Sequence, residues 1–289
     1  MFKVLKNLKE SWISVIAIVL LLVVQAAGDL TLPDYTSKIV NVGIQNGGIE
    51  NVAPDVIRKS EMENLLIFTE DDDKILASYE EISKEDLDSE EYEKLVKKYP
   101  ALENETLYRI KKISKSEQDE LDSLMAKPLM MISTTKQMPK EQIDKMLETV
   151  NQKLDDMQES ILEQAAIQEV KNEYKAIGID TDSIQNQYII MAGLKMLGIS
   201  LIIMISAISI MCLSARVAAR LAKTLREKVF KKVLSFSNKE FSEYSTASLI
   251  TRSTNDIQQI QGLIAILFRV VVYAPIIGIG GFKSTKSKW

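Results

Sequence analysis

The chain has 289 residues, with 36 Lys and Arg against 40 Asp and Glu for a net charge of −4, no histidine and one cysteine. The missing histidine excludes imidazole acid–base catalysis, Ser-His-Asp triads and histidine-ligated metal sites. Cys212 alone excludes an internal disulfide and any zinc or redox cysteine pattern.

Residues 1–11 place Phe2, Val4, Leu5 and Leu8 opposite Lys3, Lys6 and Lys9. This suits an interfacial helix on the inner leaflet, although ordinary juxtamembrane lysines read the same way. Residues 13–24 carry no charge, and the apolar run reaches membrane-spanning length by continuing to Pro33. The first span is therefore set at 12–33. A signal peptide is the alternative, but no small-x-small cleavage site precedes a mature start. Asp29, near the outer end, is either an interfacial carboxylate or a functional intramembrane charge.

Residues 34–187 hold 19 basic and 34 acidic side chains, a net charge of −15. They read as helices joined by polar turns. One helix is expected over 55–68, one over 84–98 behind a Ser83–Asp86 capping box, and one over 117–126 behind Ser116–Asp119. A long helix is expected from Pro139 to just before Gly178, with one apolar stripe from Ile143 to Val170. The intensely acidic stretch 69–93 reads as a solvated face or flexible loop. Asp71, Asp72 and Asp73 lack EF-hand spacing, so no metal is expected.

The uncharged run 196–215 anchors a second span at 188–215, with Lys195 snorkelling at its outer end. Residues 216–262 carry nine basic and four acidic side chains, a net charge of +5. Their first part, 216–235, is a basic amphipathic helix with Val217, Leu221, Leu225, Val229 and Val233 on one face. Such a helix suits anionic lipid; directly after a membrane run it reads best as positive-inside charge, with no nucleic acid partner. The third span is 263–282, whose one charge, Arg269, either faces a central cavity or snorkels inward. The positive-inside bias puts the N-terminus and 216–262 in the cytosol and 34–187 outside, in a multi-pass protein of the plasma membrane.

Between the second and third runs, residues 236–261 read FSNKEFSEYSTASLITRSTNDIQQIQ. Phe236, Ser237, Glu240, Phe241, Ser245, Thr246, Ser248, Leu249, Ile250, Arg252, Thr254, Asn255 and Asp256 resemble, in order and spacing, the first intracellular loop of ABC exporters of the bacterial multidrug type. Ala247 stands where that family has glycine. The resemblance implies a short transverse coupling helix whose contact with a nucleotide-binding domain falls on Glu240, Phe241, Ser242, Tyr244, Ser245 and Thr246. Phe241 and Tyr244, three residues apart, are expected on one helical face. Arg252, Thr254, Asn255 and Asp256 form the following helix motif. The resemblance extends to 1–11 as an elbow helix and to Asp29, Leu30 and Pro33. It implies two partners beside membrane lipid: a nucleotide-binding domain and a second half-transporter, the large insert resembling one branch of heterodimeric exporters.

A nucleotide site needs G-x-x-x-x-G-K-[ST]. The nearest match, GGFKST at 280–285, has Phe282 between glycine and Lys283 and follows no strand. No cofactor is therefore expected on this chain; ATP and magnesium belong to the complete family, and no enzymatic activity is assigned to this chain by itself. Lysines at 283, 286 and 288 in an outward-running tail argue for a truncation.

The expected fold is an all-α membrane protein: three transmembrane helices of an ABC exporter type domain plus a mainly helical extracellular insert. The expected function is a truncated transmembrane subunit that exports lipophilic or drug-like compounds at the expense of ATP hydrolysed elsewhere. The alternative is a membrane sensor with an acidic extracellular sensing domain, which the third apolar run does not fit. A small structural or regulatory membrane protein is a third class, and it needs the chain's ending to be genuine.

Overall fold

The computed structural model describes residues 11–69, 71–85, 87–135 and 159–286, with side chains described at all of these except 159–160, 241–243, 268–269 and 283–286. In chain order the elements are α1 (Trp12–Lys38), a π-turn (Ile39–Gln45), β1 (Val56–Arg58), α2 (Lys59–Leu66), α3 (Asp72–Ala77), β2 (Tyr79–Ile82), α4 (Ser89–Lys98), a 3-10 turn (Pro100–Glu103), β3 (Leu107–Ile110), α5 (Lys115–Thr135), α6 (Glu159–Ile177), α7 (Thr181–Leu234), α8 (Asn238–Glu243), α9 (Thr246–Thr251), a π-turn (Arg252–Asp256), α10 (Ile257–Phe268), a π-turn (Arg269–Tyr273) and α11 (Ala274–Lys286). The chain is a predominantly helical membrane protein. Among the described residues, three stretches are long and apolar enough to cross a bilayer: Trp12–Gln45, Thr181–Leu234 and Thr246–Phe282. The chain divides into two compact units, one of Met1–Thr36 with Leu194–Trp289 and one of Ser37–Gly193.

In the first unit, Ile18 and Leu22 of α1 pack with Ile210, Val217, Ala218 and Leu221 of α7 and with Ile264 of α10. Helices approach closely where a small residue allows it. A Cβ on Gly28 would fall 2.6 Å from Ile203 Cγ1, so only glycine fits there as the two helices now stand. α1 continues through Pro33. The ring removes one N–H and frees the carbonyl four residues back, and such breaks are tolerated where side chains supply local hydrogen bonds. The Thr31 and Thr36 hydroxyls donate to the carbonyls of Ala27 (2.7 Å) and Leu32 (3.1 Å), on either side of the Asp29 carbonyl so freed.

The second unit is mainly helical but contains a three-stranded antiparallel sheet, in the order β1-β3-β2. Leu107 of β3 is opposite both Arg58 and Ile82. The helix expected over 55–68 is instead β1 followed by α2, because Val56 and Ile57 are both buried while Met62 and Leu65 recur at helical spacing. The acidic stretch 69–93 is not a loop. Ile75, Tyr79 and Ile82 are buried and anchor α3 and β2 beneath a charged surface. The first expected capping box fails because β2 runs to Ile82; α4 starts only at Ser89, with Asp88 accepting the Glu91 N–H at 2.8 Å, and Asp86 lies outside the described residues. The second cap sits two residues early, with Ser114 and Glu117 bonding each other's backbone N–H. Leu121, Met125, Leu129 and Ile132 of α5 face Ala166, Val170, Tyr174 and Ile177 of α6 in the core. α6 ends, as expected, before Gly178. Pro139, the first half of its expected stripe and residues 1–10 lie outside the described residues.

A buried carboxylate and a partly buried guanidinium tie this core together. Glu173, 1 % exposed, accepts the Arg58 backbone N–H at 2.9 Å and the guanidinium through Nε (3.0 Å) and Nη2 (2.8 Å). That bond raises the Arg58 pKa against the opposing cost of burial.

Candidate functional site

The segment between α7 and α10 is built from two capped helices. Ser237 Oγ accepts the Glu240 N–H at 3.3 Å, while Glu240 Oε2 accepts the Ser237 N–H at 2.9 Å and its hydroxyl at 3.0 Å. This reciprocal pair satisfies two otherwise orphan donors and starts α8. The Ser237 backbone N–H, and then its hydroxyl, hold the Glu240 carboxyl below the usual range. Glu240 is thus engaged in its own helix cap.

α8 stops after one and a half turns. Tyr244 is extended, at φ −112° and ψ 131°, so it leaves the helix on which Phe241 lies. The expectation that the two rings share one helical face does not hold. Tyr244 turns back instead and stacks on Phe236. Ser245 then caps α9 by accepting the Ser248 N–H at 3.2 Å, which leaves Thr246 as its first residue. The Phe241 and Ser242 side chains lie outside the described residues.

Arg252, Thr254, Asn255 and Asp256 occupy the π-turn after α9. The Arg252 guanidinium lies over the Tyr244 ring, 5.7 Å from its centroid. Thr254 donates back to the Ile250 carbonyl at 2.7 Å. Asn255 and Asp256 are exposed. The structure therefore joins Arg252 to Tyr244, at the junction of α8 and α9.

Further along the third membrane stretch, the Tyr273 hydroxyl donates to Asp29 Oδ2 on α1. Asp29 is half-buried and paired. Sequence reading missed its partner, although Tyr273 is the one hydroxyl in the apolar run 263–282. The π-turn explains how Tyr273 arrives there. Nine residues separate Ile264 from Tyr273, and at 3.6 residues per turn they would leave the two about 180° apart. A π-turn absorbs roughly one residue, which brings them to within about 80°. Ile264, Tyr273 and Gly280 can then all meet α1, where a Cβ on Gly280 would fall 2.4 Å from Leu30 Cδ1. Pro275, with no N–H to return to the preceding turn, follows immediately. Arg269 opens the π-turn, and its side chain lies outside the described residues.

A cavity of 490 Å³ lies among α1, α7 and α10, lined by apolar groups such as Leu22, Ile210 and Ile266 together with Gln25 and Ser214. The Ser214 hydroxyl is buried with no hydrogen-bond partner among the described residues, a state that costs free energy unless something accepts from it.

The arrangement defines a helical membrane protein with a capped two-helix segment between the second and third of its stretches of membrane-crossing length. Residues 143–283 match the family model for the ABC transporter transmembrane region, which includes that whole segment and leaves the first 142 residues outside. The chain is 36% identical over 93 residues to an uncharacterized ABC transporter ATP-binding protein of Mycobacterium bovis, covering 32% of this chain and 16% of the relative. It is 32% identical over 89 residues to another from Bacillus subtilis (31% and 16%), and 30% identical over 99 residues to a putative ABC transporter ATP-binding protein of Mycoplasma pneumoniae (34% and 16%). The matched stretch is thus about a sixth of the length of each of these relatives.

Proposed function

We propose that this chain is the first part of the transmembrane domain of an ATP-driven ABC exporter subunit. The observation that carries this reading is the family match over 143–283 together with the capped break between α7 and α10. In this reading α7 and the α9–α11 stretch form the descending and returning helices. The α8–α9 segment, through Phe241, Ser242, Tyr244, Ser245 and Thr246, meets a nucleotide-binding domain that binds ATP and magnesium. Residues 34–187 are extracellular and 216–262 cytosolic, in the plasma membrane, and a second half-transporter completes a heterodimer. The substrate is lipophilic, which suits a 490 Å³ apolar cavity onto which the buried Ser214 hydroxyl opens. A membrane sensor is the poorer reading, since it has no use for a third spanning helix. The test is made in a subunit extended through its remaining membrane helices and nucleotide-binding domain. Phe241→Ala is expected to leave basal ATPase activity in place while substrate no longer stimulates it. Wild-type stimulation in a well-folded variant rejects the coupling role.

A further inference from the structure

The Ser37–Gly193 unit holds a cavity of its own, of 360 Å³. It forms where the chain reverses after α1. Gly47 and Gly48 have φ of +66° and +84°, the left-handed region that glycine enters without strain. A Cβ on Gly48 would lie 2.8 Å from the Gln185 Cα. That close approach brings Glu50 to the first turns of α7, where Tyr188 stands. On the other side, α6 closes with the Gly178 N–H on the Lys175 carbonyl (3.1 Å) and the Ile179 N–H on the Tyr174 carbonyl (2.8 Å), a pairing that fixes the last turn. Tyr174, thus held, accepts the Asp55 backbone N–H at 2.8 Å. The Asp55 carbonyl in turn accepts the Ile110 N–H at 2.9 Å. Asp55 is therefore pinned through its backbone while its side chain remains exposed at the cavity. Burial, and then the Asp55 charge, push the Tyr174 phenol above its ordinary range, so the ring stays neutral.

We propose that this cavity binds a small organic cation of the alkylammonium class, held by Tyr99, Tyr174 and Tyr188 with the carboxylates of Asp55 and Glu50. Its volume is that of a small-molecule site. Aromatic rings attract a cation without the hydration that a bare carboxylate pair demands. The wall already carries such a contact: the Lys98 ammonium lies over the Tyr99 ring, 4.9 Å from its centroid. Lys98 is itself exposed and free to swing toward solvent. The surrounding segment, 34–187, has a net charge of −15, which raises the local concentration of cations and repels anions. A neutral apolar guest would draw nothing from Asp55 and Glu50.

The experiment uses the whole chain in lipid nanodiscs, titrated with choline and, separately, with 3,3-dimethyl-1-butanol, its uncharged isostere. Binding is followed by saturation-transfer NMR on the ligand methyl groups, and neither nucleotide nor a second subunit enters the measurement, so the result stands apart from the transport reading. Choline is expected to bind saturably and at least tenfold more tightly than the isostere. Tyr188→Leu and Asp55→Asn should each weaken it by about five- to tenfold. Glu50→Gln, which breaks only an exposed pair with Lys38, guards against a folding defect in the other two and should weaken binding by about twofold or more. Equal affinity for choline and its isostere, no saturable binding, or unchanged affinity in the folded variants would overturn the proposal.

Discussion

The ring of Tyr244 lies on that of Phe236, with centroids 5.8 Å apart and planes 17° from parallel. Lys232 sits over the Phe236 ring, 5.9 Å from its centroid, and Arg252 lies 5.7 Å from that of Tyr244. Four side chains thus clamp the end of α7 to the start of the third membrane stretch, with α8 held between them. An aromatic pair contributes about 0.5–1.5 kcal/mol beyond its buried area, enough to hold a loop of two short helices. Tyr244→Ala should open this clamp, so proteolytic cleavage between 236 and 246 should accelerate severalfold while the membrane helices stay intact. Tyr244→Phe keeps the stack and should behave as wild type.

The proposed topology is testable by cysteine accessibility. In a Cys212→Ala background, Ser89→Cys should react with an impermeant maleimide on intact cells, and Lys239→Cys should react only after permeabilisation. Both positions are exposed in their own units. Labelling of the second variant in intact cells would reverse the assignment.

Glu173→Ala leaves the Arg58 guanidinium partly buried beside the more distant Glu105, at 3.5 Å. Removing one member of a buried pair costs about 3–5 kcal/mol, so the urea midpoint of the Ser37–Gly193 unit should fall steeply. Replacing both members together, Arg58→Met with Glu173→Leu, should recover much of the loss. Equal damage from the single and double changes would show that the pair is not the cause.

Two helix caps should loosen in acid. Glu117 and Glu240 are each held below the usual carboxylate range by the backbone N–H, and then the hydroxyl, of a serine three residues earlier. A depressed carboxylate stabilises the fold fully above its unfolded value, 4.5 for glutamate here. That contribution is lost as pH falls through the lower folded value. Amide exchange at the starts of α5 and α8, corrected for intrinsic rates, should therefore be flat above pH 5 and rise below pH 4. Glu117→Gln should remove the pH dependence at α5 and leave that at α8.

Gly28→Ala places a methyl group 2.6 Å from Ile203 Cγ1. Overpacking of this kind costs about 1–3 kcal/mol, seen as a lower melting temperature in detergent. Ile203→Ala in the same chain should rescue it, because it removes the atoms in the way.

The three stretches of membrane-crossing length were legible because an apolar run of that length with at most a single charge has few other meanings. The α7 stripe was legible too: Val217 and Leu221 are buried, with Leu225 packed beside them. Gly178 marked the end of α6 by its backbone alone. The small sheet was not legible. Its strands are three or four residues long, and each depends on partners elsewhere in the chain that no local period reveals. The acidity of 69–93 hid Ile75, Tyr79 and Ile82, since composition averages over the few side chains that pack. At the candidate site, the Ser237–Glu240 capping box has the right spacing but was not read, and the Phe236–Tyr244 stack could not be, because it requires the chain to leave the helix at Tyr244. The Asp29–Tyr273 bond joins residues 244 positions apart and rests on a change of helical phase that a uniform wheel conceals.

That phase change makes the third membrane stretch sensitive to how many residues it has more than to which ones. Val271 is exposed within the π-turn, so exchanging its side chain should matter little. Deleting its codon would let the helix regularise and swing Tyr273 and Gly280 away from α1 in one step. A substitution and a deletion at the same spot are then different kinds of event: one edits a surface, the other re-indexes every contact that follows. A related chain lacking that residue would have to meet α1 through other positions, and a column-by-column comparison would pair side chains that do not share a role.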